Sequence, residues 1–153
     1  MRFNSILPLI GGLVSSVSAD FHVGRSDFSQ QATNPDKGTI LQWSDYFACP
    51  SNYYQCKCFG QLSSDRGVKV KSGSTTGQYF SLESGLCGMG QLDFYYRPNL
   101  GHWEFYVNGG DGKVQGTCYS NSAETVRCGN PIFSNISAGY HDQLVCYSYI
   151  CNP

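Results

Sequence analysis

Six side chains that can carry charge or hydrogen-bond fall at alternate positions in one short stretch: Asp93, Tyr95, Arg97, His102, Glu104 and Tyr106. A carboxylate, an imidazole, a guanidinium and phenols gathered on one surface are the groups that in-line phosphoryl transfer to a ribose 2′-hydroxyl requires. Glu104 or His102 would serve as base, Arg97 as the cation facing the phosphorane, and His141, followed by Asp142, as a second acid. Ordinary strand alternation explains the same pattern with no chemistry, because a half-exposed antiparallel pair keeps polar partners on its wet face.

The element that must position these groups is a hairpin. Leu92–Arg97 and His102–Val107 flank Pro98-Asn99-Leu100-Gly101, a four-residue loop ending in glycine. Pairing 97 with 102 and counting outward sets Tyr96 against Trp103, Phe94 against Phe105 and Leu92 against Val107. That surface is core. The other carries Arg97 against His102, Tyr95 against Glu104 and Asp93 against Tyr106.

Elsewhere the period is also two. Gly67–Lys71, Gln78–Leu82 and Leu144–Ile150 read as strands, separated by turn sequences such as Asn34-Pro35-Asp36-Lys37-Gly38 and Asn108-Gly109-Gly110-Asp111-Gly112. A short helix is predicted around Gln42–Phe47. The fold class is mainly β: a single-domain antiparallel sheet or sandwich over residues 20–153, stapled by four disulfides.

The disulfides follow from residues 1–19. Arg2, an apolar run from Ile6 to Val14 and the small-residue site Val17-Ser18-Ala19 make a signal peptide, so that the mature chain begins at Asp20 and is secreted. The run is too short for a membrane span. In an oxidising compartment the even set Cys49, Cys56, Cys58, Cys87, Cys118, Cys128, Cys146 and Cys151 is expected to form bridges. Cys56 and Cys58, two apart in an alternating stretch, share a strand face and should take different partners. Cys118 and Cys128 bracket the polar loop Ser120–Glu124 and are the one pairing proposed from sequence. Asn135-Ile136-Ser137 is a glycosylation sequon, and Asn135 is the expected acceptor.

Other site chemistries are excluded. No paired Cys-x-x-Cys motifs occur and the three histidines are scattered, so no metal is expected. His22 is not first in the mature chain, as a copper polysaccharide monooxygenase would need. A G-x-S-x-G nucleophile elbow is missing, and Asp111 is the lone carboxylate of its glycine-rich turn. No cofactor is implied. Ten Lys/Arg against eleven Asp/Glu, without runs, give a formal charge of −1 and no phosphate-backbone footprint. A glycan platform would fall to Tyr53, Tyr54, Tyr95 and Tyr106, since the hairpin register buries Trp103.

Tyr95, Arg97, His102 and Glu104 on one face, with His141 arriving later in the chain, resemble the catalytic set of the small guanyl-specific ribonucleases of fungi. The resemblance implies Glu104 as general base, His141 as general acid and Arg97 as phosphate ligand. It departs in placing His102 and Glu104 two apart on one strand rather than on successive strands, and in the heavier cysteine framework. Over its whole length the chain resembles the small secreted cysteine-rich proteins of filamentous fungi, a category treated as candidate effectors. That resemblance implies action outside the producing cell, on a host or competitor. The expectation is therefore a monomeric, non-enzymatic interaction protein binding an extracellular protein or glycan. A ribonuclease acting on RNA and a carbohydrate-binding module are the alternatives.

Overall fold

The computed structural model describes residues 19–31, 40–53, 56, 58, 67–122, 125–129 and 136–151. Residues 1–18 of the expected leader, Tyr54 and the sequon residue Asn135 lie outside them. Among the described residues nine strands form one antiparallel sheet: β1 (Phe21–Gln31), β2 (Ile40–Pro50), β3 (Val68–Gly73), β4 (Tyr79–Leu82), β5 (Leu92–Arg97), β6 (His102–Val107), β7 (Gly116–Ser120), β8 (Thr125–Gly129) and β9 (Ile136–Ser148). Their order is β1-β2-β3-β4-β5-β6-β7-β9-β8, and β1 also pairs with β9, which closes the sheet into a barrel with β8 added outside the ring. Among the described residues the only helical pieces are two 3-10 turns, Ser51–Tyr53 and Leu86–Gly88.

Alternation explains the closure. Each strand of the ring sends apolar residues inward: Phe21 and Val23, Ala48, Val68, Phe80 and Leu82, Leu92 and Phe94, Trp103 and Phe105, Cys118, then Leu144 and Cys146. A ring of this size is just filled by side chains. Here aromatics fill it: Phe94 stacks on Phe80 at 4.3 Å and on Phe105 at 5.0 Å, and Phe21 meets Phe105 edge-on at 5.4 Å.

At Val23/Gly24 the β1–β9 register slips. Val23 faces Leu144 but Gly24 faces Asp142, so Gln143 is an extra residue of the kind that bends a strand. Beyond this bulge the buried positions of β1 change parity, from Phe21 and Val23 to Gly24, Ser26 and Phe28. Phe28 joins Phe47, Cys49, Cys58 and Tyr140 in a second apolar cluster. Residues 42–47 are correspondingly strand, not helix: Gln42 to Phe47 pair residue by residue with Ser29 to Gly24. Pairing along all of β2 outweighs a weak local helix preference.

The cysteines form four bridges with none left free: Cys49–Cys58, Cys56–Cys128, Cys87–Cys151 and Cys118–Cys146. Cys56 and Cys58 do take different partners. The Cys118–Cys128 pairing is corrected. Cys118 lies directly opposite Cys146 in the β7–β9 ladder, with Cα atoms 4.0 Å apart, whereas Cys128 on β8 is drawn to Cys56. Sequence proximity placed Cys118 and Cys128 together, but β9 lies between their strands.

Candidate functional site

The hairpin register is the one its sequence dictates. Arg97 pairs with His102, Tyr96 with Trp103, Tyr95 with Glu104, Phe94 with Phe105, Asp93 with Tyr106 and Leu92 with Val107. Trp103, Phe94, Phe105 and Leu92 are buried, while Tyr95 and Arg97 are exposed on the barrel's outer wall. The polar set therefore stands together outside the core, held by two core strands.

Within it, three side chains interlock. Arg97 Nε donates to Glu104 Oε2 at 2.7 Å, its Nη2 donates to the Tyr106 hydroxyl at 2.8 Å, and that hydroxyl donates to Glu104 Oε2 at 2.7 Å. His102 Nε2 stands 4.0 Å from Glu104 Oε1. The Tyr106 hydroxyl first, and then the Arg97 guanidinium, hold the Glu104 carboxyl below the usual carboxylate range. The same contacts, led by Glu104, raise Arg97. A general base works best with a pKa near the ambient pH. Glu104 is displaced in the opposite direction, and one of its oxygens already receives two donors.

Around this ion cluster lies an aromatic stripe. Tyr79 on β4 faces Tyr95 with ring centroids 5.1 Å apart, and Tyr95 meets Tyr106 at 5.9 Å. On the far side His102 meets Tyr119 at 5.5 Å, and Tyr119 meets Tyr147 at 6.0 Å. Partial desolvation, then the neighbouring Asp93 carboxylate, push the Tyr95 phenol up, so that it remains a hydrogen-bond donor. Asp93 is held by Asn108 Nδ2 at 2.7 Å, Gln91 Nε2 at 3.2 Å and the Tyr79 hydroxyl at 3.3 Å. Tyr79, Tyr119, Tyr147 and Asn108 are additions to the sequence-based set. Tyr79 had a signal, since it lies outward in an alternating run, but its neighbour depends on the β4–β5 register.

His141 is placed elsewhere. Glu104 pairs with Thr117 and Thr117 with Tyr147, six residues along β9 from His141, or about 20 Å at strand rise. The Nε2 of His141 instead stands 3.3 Å from Asp27 Oδ2, which also accepts from Arg25 at 2.8 Å. Burial opposes ionisation of Asp27, but the Ser44 hydroxyl, Arg25 and His141 together leave its pKa lowered. The structure thus gathers Tyr95, Arg97, His102 and Glu104 and leaves His141 at a different part of the barrel. Tyr53 packs at the second cluster, away from Tyr95 and Tyr106, so the tyrosines proposed as one glycan platform divide.

No group of three or more His, Cys, Asp or Glu among the described residues is arranged to hold a metal. No described helix is long and apolar enough to cross a membrane. Comparison with protein-family models, curated proteins and solved structures finds no match.

Proposed function

We propose that this chain is a secreted, effector-like protein that acts outside the producing cell by binding a host or cell-surface partner, and that it is not an enzyme. The observation that carries this reading is the locking of Glu104 by Arg97 and Tyr106 beside exposed tyrosines. Interlocked polar side chains on two core strands form a rigid surface, and tyrosines give large contact area at low entropic cost. Secretion is supported by the seating of Asp20, the first residue after the proposed leader. Its N–H donates to Cys146 O at 2.8 Å, and its carboxylate accepts from the Ser148 hydroxyl and from Cys151 N at 3.1 Å. Asp20 is anchored in the fold, as suits the first residue of a mature chain, and four bridges suit an oxidising space.

The test is binding of mature protein to intact target cells, comparing wild type with the Tyr79→Ala/Tyr95→Ala variant. Loss of binding with retained folding supports the reading; equal binding by both proteins defeats it. A glycan partner is the second reading, favoured by the Tyr79-Tyr95-Tyr106 ring series, and protease treatment of the cells separates the two. Binding that survives proteolysis and is competed by soluble polysaccharide assigns the surface to glycan.

A further inference from the structure

We propose that a recess at one end of the barrel, separate from the outer-wall surface, is a binding site for a small uncharged polyhydroxylated ligand, a sugar residue or a polyol. The recess holds about 750 Å³, within the range typical of ligand sites. Tyr96 and Trp103 supply its apolar wall. Around them stand neutral hydrogen-bonding groups from three segments: Thr75 and Thr76 from the β3–β4 turn, Ser120 to Ser122 at the end of β7, and Gln143 at the bulge of β9. Hydroxyls and amides facing aromatic rings match a molecule with hydroxyls at its edge and C–H groups on its faces.

Charge argues against an anion. The recess has one guanidinium, Arg25, and one imidazole, His141, and both stand against the Asp27 carboxylate, at 2.8 and 3.3 Å. A carboxylate, Asp142, borders the recess as well. Its Oδ2 accepts from Asn121 Nδ2 and is paired with His22 Nδ1, each at 2.8 Å. Its Oδ1 is buried and has no partner among the described residues. The Asp142 side chain is fully buried, so a ligand in the recess meets the neutral groups rather than this carboxylate.

The test is amide chemical-shift mapping of the mature protein with glucose, N-acetylglucosamine, mannose and glycerol as separate probes, and with inorganic phosphate as the anionic control. At least one neutral probe is expected to shift Thr76, Asn121 and Gln143 saturably, with phosphate silent there. A tryptophan at Gly77 fills the recess, and a Cβ there meets nothing nearer than 3.4 Å. Gly77→Trp should therefore weaken binding at least about tenfold. Ser122→Trp at the exposed rim does the same if the first variant fails to fold. Tyr95→Ala, on the outer wall, should bind as wild type, which separates this site from the surface proposed above. Silence of all four neutral probes, a phosphate response alone, binding unchanged in both tryptophan variants, or loss in Tyr95→Ala would each overturn the assignment.

Discussion

The ring of Tyr140 occupies the space that a side chain on Gly24 would need. A Cβ at Gly24 would stand 2.5 Å from Tyr140 Cζ and 2.5 Å from the carbonyl oxygen of His141. The glycine sits where β1 and β9 change faces, and its missing side chain lets Tyr140 lie in the second cluster with its hydroxyl donating to Phe47 O at 3.3 Å. Gly24→Ala should therefore destabilise the fold by about 1–3 kcal/mol through overpacking, since one clashing atom is backbone and cannot rotate away. Denaturant midpoints of the two proteins measure it. A variant as stable as wild type would mean that the bulge relaxes freely.

The hairpin register makes a second prediction. Trp103 is buried among Phe80, at 5.1 Å, and Tyr96, at 5.4 Å. Trp103→Ala should cost about 3–5 kcal/mol, whereas Glu104→Ala on the outer wall should stay within about 1 kcal/mol. Equilibrium unfolding compares them. The reverse order would require the strand to have slipped by one residue, turning the polar set inward.

Legibility of the molecule follows the range of the interactions. The β5–β6 pairing could be counted outward from its own turn, because Pro98–Gly101 fixes the register and period-two burial fixes the faces. The Arg97–Glu104–Tyr106 cluster was legible as a shared face, though not as a locked one. Cys118–Cys146, by contrast, depends on β9 lying between β7 and β8, which no local signal encodes. The position of His141 against Asp27 depends on the β1–β9 bulge in the same way. Residues 42–47 looked helical because their partner strand ends eleven residues before them in a different stretch of sequence, and only pairing with β1 reveals their strand character.

The bridges should differ in weight. Cys56–Cys128 closes a span of 72 residues and Cys49–Cys58 a span of 9. In the chain-entropy description the longer loop restricts the unfolded chain more, by about 2 kcal/mol. Replacing both cysteines of each pair by alanine and comparing unfolding midpoints tests this. Equal losses would show that native packing around Cys58, rather than chain restriction, sets the contribution.

Acid should act through Glu104. Its folded pKa is depressed, by Tyr106 first and Arg97 second, so ionisation favours the folded state. That contribution is fully present above the ordinary glutamate value of about 4.3 and is lost as pH falls through the lowered folded value. The stability difference between wild type and Glu104→Gln should therefore shrink on acidification over that window. Parallel pH profiles would mean that the contacts with Arg97 and Tyr106 do not persist in solution.

The ribonuclease alternative is the sharpest test of the proposed function. Cleavage of single-stranded RNA to a cyclic phosphate needs a base and an acid on opposite sides of one phosphate, each within hydrogen-bond reach or one water of it. Glu104 is held by two donors and pulled to lower pKa, and His141 lies about 20 Å along β9 from Tyr147, the residue in register with Glu104 through Thr117. His102, at 4.0 Å from Glu104, shares its strand face and cannot reach the opposite side of a substrate held there. Purified mature protein should therefore leave RNA intact, and Glu104→Gln and His141→Ala should match wild type in that assay. Cleavage that copurifies with the protein and drops about 10²-fold or more in both variants would make these two residues an acid–base pair and replace the binding function with catalysis.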